Sequence, residues 1–192
     1  PEQILITNGA QEALAVCCLA LLNPGDEVLV MDPGYPGTLS AIALASAVPV
    51  FCLTDDQFQP EFAAMERAVS ARTRAIIAAS PNNPTGQILS ADALEHLAAL
   101  AEKFDLALIL DAAYEQLSWK PLNFKVLRSA RHRVIFVGSF SKTYAMTGWR
   151  LGYCMADAPI RDRMQIFHQY SVVSAPSFVQ PACVAALQSD TS

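Results

Sequence analysis

The sequence has few charged residues and no strongly basic segment. Charged residues make up 16% of the 192 positions, and the formal net charge is −5. A chain with an excess of acidic residues and no Lys/Arg-rich run is poorly suited to binding nucleic acid or an anionic membrane surface. We therefore expect no nucleic-acid partner and no membrane partner.

The sequence also lacks long apolar runs and paired cysteines. No apolar run reaches the roughly 18 residues of a membrane span, and no basic-then-apolar leader opens the chain. The five cysteines form no C-x-x-C pair and no Cys/His cluster; they are Cys17, Cys18, Cys52, Cys154 and Cys183. We therefore expect no metal site and no disulfide framework, but buried free thiols in a cytoplasmic protein.

Hydrophobic residues are abundant. They make up 53% of the chain, enough for a large interior in a single domain of this length. The chain opens at Pro1 just before a strand-like run and closes at Ser192 just after an apolar helical pattern. We expect residues 1–192 to be one domain of a longer polypeptide. Processing or a naturally short gene product is the alternative.

Apolar runs alternate with helical patterns along the chain. The predicted strands cover residues 4–7, 27–32, 48–53, 74–79, 106–110, 134–137 and 151–155. The predicted helices cover residues 10–22, 38–47, 60–70, 90–104, 160–170 and 176–187, and residues 112–133 are expected to be irregular. This alternation is typical of a parallel sheet covered on both faces. The sequence therefore predicts a three-layer α/β/α fold with a mostly parallel, seven-stranded sheet. The last strand is expected to be antiparallel, because only a short loop precedes it.

Polar residues follow the carboxyl ends of the predicted strands, where open α/β sheets bind ligands. In chain order they are Gly9, Ala10, Gln11, Tyr35, Asn83, Asp111, Tyr114, Ser139, Ser141 and Lys142. The stretch 139–152 combines an amine, several hydroxyls and the guanidinium of Arg150 between two strands that look buried. This combination predicts a site for an anionic ligand that carries a carbonyl group.

Three motifs in this order match a known family. They are Ser139-x-Ser141-Lys142 with Gly148-x-Arg150-x-Gly152, Asn83-Pro84-Thr85-Gly86, and Asp111-x-x-Tyr114, and they follow an opening Thr7-Asn8-Gly9-Ala10-Gln11. With these motifs the chain resembles the large domain of fold-type I pyridoxal-phosphate enzymes, specifically the class I/II aminotransferases, over essentially its whole length. The resemblance implies pyridoxal 5′-phosphate as the cofactor, an amino acid and a 2-oxo acid as substrates, and a homodimer as the full-length form.

The resemblance also implies three catalytic residues. Lys142 would form a Schiff base with the cofactor aldehyde and then move a proton at the substrate. Asp111 would keep the pyridine nitrogen protonated, which makes the ring an electron sink. Tyr114 would hydrogen-bond the phenolic oxygen together with Asn83. For Asn83, turn formation before a proline is a second explanation, and both can hold.

A phosphate site is implied at the start of the first helix. Its backbone N–H groups and the positive end of its dipole would face the phosphate at Gly9, Ala10 and Gln11. Hydroxyl groups and one charged contact would come from Ser139, Ser141 and Arg150. The ring of Tyr35 would either stack on the cofactor or simply pack against the protein.

The cofactor residues leave the reaction open. A pyridoxal-phosphate-dependent carbon–sulfur lyase or a cyclopropane-carboxylate-forming synthase would use the same set, and a non-catalytic module could keep the fold. Full-length members of the family also carry a small domain with an arginine for the substrate α-carboxylate. No motif for that arginine occurs here, so the isolated chain is expected to transaminate poorly.

Overall fold

The computed structural model describes residues 2–119, 127 and 130–189, and these form seven strands and seven helices. The strands are β1 (Ile4–Thr7), β2 (Glu27–Asp32), β3 (Val48–Leu53), β4 (Thr73–Ala79), β5 (Ala107–Asp111), β6 (Val134–Ser139) and β7 (Gly152–Met155). The helices are α1 (Ala10–Leu21), α2 (Pro36–Leu44), α3 (Phe62–Ala68), α4 (Ala91–Lys103), α5 (Phe140–Thr143), α6 (Ala158–Val172) and α7 (Val179–Gln188). Short 3₁₀ turns cover Glu115–Leu117 and Thr147–Trp149.

The strands form one sheet in the order β1-β7-β6-β5-β4-β2-β3. The pairs from β3 through β6 are parallel, whereas β7 is antiparallel to both β6 and β1. The predicted mostly parallel sheet with an antiparallel last strand is therefore confirmed. Because β7 opposes both of its neighbours, β1 runs in the same direction as β6. The carboxyl ends of β1, β4, β5 and β6 thus share one edge of the sheet.

The core lies on both faces of the sheet, because successive residues of a buried strand point in opposite directions. Ile77 and Ile109 belong to a core with α1, α2 and α6, whereas Ile76 and Leu108 belong to a core with α3 and α4. No residue of α1 is exposed, as its apolar sequence predicts. The three-layer arrangement follows from this alternation.

Several element boundaries differ from the sequence prediction. Strand β6 extends two residues further, because Gly138 and Ser139 pair with β7. Helix α2 begins at Pro36 and ends before Ser46, whose φ of 56° is incompatible with an α-helix. Helix α3 begins later than predicted, because Pro60 forms an isolated bridge with Thr54.

The segment that carries Lys142 was predicted as a loop, and this was wrong. It contains helix α5 and the 3₁₀ turn Thr147–Trp149. The stretch 112–133 was predicted to be irregular and includes the 3₁₀ turn Glu115–Leu117. Residues 120–126, 128 and 129 of that stretch lie outside the described residues.

All five cysteines are free and buried, as predicted from the sequence. Burial raises the pKa of Cys18 and of Cys154 to about 12, so both thiols stay protonated at neutral pH. Over the described ranges, no helix has both the length and the apolar character that crossing a membrane requires.

Candidate active site

A cavity of about 260 Å³ opens at the carboxyl edge of the sheet. Every site residue predicted from the sequence except Gly9 lines it: Ala10, Gln11, Tyr35, Asn83, Asp111, Tyr114, Ser139, Ser141, Lys142 and Arg150. These residues come from segments up to 140 positions apart, and the strand order brings them to one edge. The residues that follow the strand ends therefore meet at one cavity, as the sequence predicts.

Asp111 is a buried carboxylate at the end of β5. Only 9% of the residue is exposed, and its Oδ1 accepts a hydrogen bond from the N–H of Ala113 at 3.0 Å. Burial raises the pKa of this carboxyl, and the bond from Ala113 opposes that rise in part. Among the described residues, no cation forms an ion pair with Asp111. The cavity wall thus contains a carboxylate whose ionised form would be stabilised by a charged hydrogen-bond donor.

Helix α5 positions Lys142 at the mouth of the cavity. Ser139 begins this helix, because its Oγ accepts the N–H of Ser141 at 3.1 Å. Lys142 is exposed, although both strands that flank its segment are largely buried. The Lys142 ammonium nitrogen lies 5.6 Å from the centre of the Tyr114 ring, within range of a cation–π contact.

The guanidinium of Arg150 packs against the start of α1. Its Nη1 donates to the carbonyl of Thr147 at 3.0 Å. A Cβ atom on Gly9 would lie 2.6 Å from Arg150 Nη2, and Gly9 has a φ of +80°. The left-handed backbone requires glycine at this position, and the missing Cβ leaves room for the guanidinium.

The backbone N–H of Gly9 is hydrogen-bonded within the protein. It donates to the carbonyl of Thr7 at 2.9 Å, and the predicted phosphate contact at Gly9 stays a prediction. Ala10 and Gln11 are the first two residues of α1, and N–H groups at a helix start have no intrahelical acceptor. A phosphate would therefore meet the N–H groups of Ala10 and Gln11, while Gly9 makes room for Arg150.

Gly152 allows β7 to begin directly against the start of α1. A Cβ atom there would lie 2.6 Å from the carbonyl carbon of Gly9 and 2.7 Å from the nitrogen of Ala10. It would also lie 2.9 Å from the carbonyl oxygen of Gly138 on β6. These contacts are with backbone atoms, which cannot rotate away as a side chain can.

The side chain of Asn83 is free to face the cavity because its neighbour stabilises the turn. The amide nitrogen of Asn82 donates to the Pro33 carbonyl and to Thr85 Oγ1, both at 3.0 Å. In the described part of the chain, the Asn83 side chain makes no hydrogen bond. The turn explanation offered for Asn83 thus applies to Asn82.

Tyr35 lies in the cavity wall and not in the core. It is 37% exposed and immediately precedes α2. The Nε2 of Gln11 donates to the Gly37 carbonyl at 3.1 Å, which holds the starts of α1 and α2 together beside Tyr35.

Some cavity residues were not predicted from the sequence: Leu14, Ala79, Pro81, Ala113 and Thr147. Most are small or apolar and carry no chemical signature in a sequence. Thr147 lies within the motif stretch and could have been found there. Its Oγ1 donates to the carbonyl of Ser141 at 3.0 Å, which joins α5 to the turn before Arg150.

Comparison with solved structures agrees with this fold. Aspartate aminotransferase from Thermotoga maritima superposes with a TM-score of 0.95 at 31% identity, over 100% of this chain and 52% of that one. YbdL from Escherichia coli, described as having a methionine aminotransferase function, superposes with a TM-score of 0.92 at 32% identity, over 98% of this chain and 51% of that one.

Comparison with characterised sequences points the same way. Aspartate aminotransferase from Pyrococcus horikoshii is 34% identical over 194 residues, which cover 100% of this chain and 50% of that protein. The chain therefore spans about half the length of the relatives that it matches. The family model for aminotransferases of class I and II matches residues 1–192. The chain belongs to the class I and II aminotransferase family.

Proposed function

We propose that residues 1–192 are the cofactor-binding large domain of a pyridoxal-phosphate-dependent aminotransferase. The family uses pyridoxal phosphate. The full-length enzyme would exchange an amino group between an amino acid and a 2-oxo acid. The observation that carries the proposal is one cavity lined by a lysine, a buried aspartate without a cationic partner among the described residues, and a helix start with an adjacent arginine. The two relatives described for aspartate and for methionine are similarly distant, so they do not indicate the donor.

The residues present fit this cofactor at both of its ends. Asp111 lacks a cationic partner among the described residues, and a protonated pyridine nitrogen is a charged donor that would supply one. The N–H groups of Ala10 and Gln11 and the guanidinium of Arg150 are suited to a phosphate. Ser139 and Ser141 add hydroxyl groups to the lining of the same cavity.

The chemistry of the site would then be divided among few groups. Bound pyridoxal phosphate supplies an electron sink for the carbanion at the substrate Cα. Asp111 would hold the proton on the ring nitrogen, and Tyr114 and Asn83 would donate to the phenolic oxygen. The amine of Lys142 would hold the cofactor and would move the proton at the substrate Cα.

The covalent attachment provides the direct test. The protein is incubated with pyridoxal phosphate, reduced with borohydride and digested, and the modified peptide is identified by mass spectrometry. We expect the adduct on Lys142 and its loss in Lys142→Ala. Lys103→Ala is the matched control, because Lys103 is paired with Glu66 on the surface and should not affect labelling. An adduct that persists elsewhere in Lys142→Ala would contradict the assignment.

The reaction class requires a separate assay on the full-length protein. Aspartate and methionine are supplied in turn with 2-oxoglutarate, and the products are identified by mass. A 2-oxo acid from the donor together with glutamate supports transamination. Pyruvate with release of a thiol from a sulfur-containing amino acid would instead identify a lyase.

Two further properties of the full-length enzyme belong to the same proposal. Five buried free thiols support a reducing compartment such as the cytoplasm. The resemblance to the family supports a homodimer. Sedimentation velocity of the full-length protein tests the second point, and a monomer at micromolar concentration would contradict it.

A further inference from the structure

A buried pair of titratable side chains lies beside the start of α1 and has no part in the chemistry proposed above. His168 Nδ1 is 2.8 Å from Glu12 Oε1, and the two side chains are 8% and 12% exposed. Glu12 belongs to the first turn of α1, whereas His168 lies on α6, 156 positions later in the sequence. Neither residue lines the cavity.

The packing of α6 on α1 brings the two residues together. Ile160, Met164 and His168 are spaced by four and therefore share one face of α6. Ile160 and Met164 belong to the core that contains α1, and Met164 Sδ lies 3.9 Å from Cys17 Sγ. His168 continues this face to the end of α1 that borders the cavity.

The second oxygen of Glu12 fixes the turn before α1. Glu12 Oε2 accepts the backbone N–H of Asn8 at 2.5 Å. The carbonyl of Asn8 lies 3.5 Å from Arg150 Nη2, and the next residue, Gly9, is in close contact with the same guanidinium. One carboxylate thus joins α6 to the backbone on which Arg150 rests.

A structural role explains why an acidic residue lies so near a candidate anion site. A free carboxylate there would repel a phosphate. Both oxygens of Glu12 are instead bonded within the protein, one to Asn8 and one to His168. The carboxylate does not line the cavity and supports it through the backbone that it holds.

We propose that Glu12, held by His168, is a positioning residue for the cofactor phosphate, and this rests on the proposed function. The pair fixes the Asn8–Gly9 turn so that Arg150 and the first N–H groups of α1 face the phosphate together. The expected consequence is specific: loss of the pair weakens binding of the phosphate end and leaves the aldehyde end unaffected.

The test compares two ligands that differ only in the phosphate. Dissociation constants for pyridoxal phosphate and for pyridoxal are measured by equilibrium dialysis, and their ratio gives the phosphate preference. In Glu12→Met, which has no acceptor for Asn8, we expect this preference to fall about tenfold, with pyridoxal binding unchanged. Glu12→Gln should keep most of the preference, because its amide oxygen still accepts from Asn8. Glu95→Met is the matched control on the exposed face of α4.

The outcomes separate this inference from the proposed function. A folded Glu12→Met protein with the wild-type preference, or one that binds both ligands equally less well, overturns the positioning role. If Glu12→Met does not fold, His168→Leu is measured instead and should lower the preference by about threefold or more; an unchanged preference overturns the role. A wild-type protein without any preference for pyridoxal phosphate counts against the phosphate site itself.

Discussion

Asp111 shows how a single residue can favour function at the expense of the stability of the cofactor-free fold. Its pKa is raised by burial, so the folded chain binds the proton more tightly than the unfolded chain. The stabilisation from the protonated carboxyl is complete below the unfolded pKa and is lost as the pH rises through the folded pKa. Above the folded pKa, the cofactor-free protein holds a buried charge that accepts a hydrogen bond from Ala113 but has no cationic partner among the described residues.

We predict that Asp111→Asn stabilises the cofactor-free protein at neutral pH by on the order of 1 kcal/mol. The gain should shrink as the pH is lowered, because the wild-type carboxyl then takes up its proton. Thermal unfolding over a pH series measures both effects. Asp56→Asn, at an exposed position, is the control and should change little. A lower melting temperature for Asp111→Asn at neutral pH would contradict the prediction.

The same variant should lose chemistry while keeping the cofactor. Without a carboxylate at the ring nitrogen, we expect exchange of the substrate α-hydrogen with solvent to slow by about a hundredfold or more. Exchange into deuterated water, followed by NMR, measures this in the full-length protein. Unchanged exchange would show that Asp111 does not support the electron sink.

Candidate site residues could be selected from the sequence where a chemically reactive side chain follows the end of a strand. Lys142, Asp111 and Asn83 could be selected from the sequence for that reason, although their roles stay predictions. The contact between Gly9 and Arg150 could not be predicted, because it joins positions 141 residues apart through the β1–β7 pairing. The pair of Glu12 and His168 was not predicted for the same reason: each residue alone resembles an ordinary helix residue.

At the level of secondary-structure elements, the junction of β7 with α1 depends on glycine, which has no side chain, at position 152. Gly152 has no room for a Cβ atom between the backbones of Gly9, Ala10 and Gly138.

The existence of the strands could be predicted from the sequence, because each strand is a short apolar run. The end of β6 was not, because its last two residues are ordered by pairing with β7.

We predict that Gly152→Ala lowers the free energy of unfolding by about 1–3 kcal/mol, as expected for overpacking against rigid neighbours. The affinity for pyridoxal phosphate should fall as well, because the start of α1 must shift. Gly148→Ala is the matched control in the same segment, since nothing lies within 4 Å of its added Cβ. Denaturant unfolding and equilibrium dialysis give the two quantities, and equal behaviour of the two variants would be inconsistent with the close packing.

At the level of the whole molecule, the chain has a cavity that we propose for the cofactor but few charges with which to hold a substrate. Lys142 and Arg150 are the cationic residues in the cavity lining, and both are already assigned. A substrate carboxylate thus finds no further cation in the described lining.

Large apolar side chains are exposed on α6 and beyond it, including Tyr170 at 84%, Val173 at 78% and Phe178 at 78%.

We predict that the 192-residue chain by itself binds pyridoxal phosphate but transaminates poorly. Turnover is measured with an amino acid and 2-oxoglutarate, and the borohydride adduct on Lys142 reports cofactor binding in the same preparation. Efficient turnover by this chain alone would refute the prediction. An adduct without turnover is the expected result.

The position of β1 at the edge of the sheet also determines when the cavity can form during synthesis. In the described part of the chain, β1 pairs with β7 alone, so residues 4–7 have no sheet partner until residues 152–155 have left the ribosome. Strands β2 to β6 can pair with one another before that point. The end of the cavity beside the first and last strands, which is the proposed phosphate site, is therefore the last part to be completed. We expect a shorter nascent chain to be unable to hold a cofactor by its phosphate.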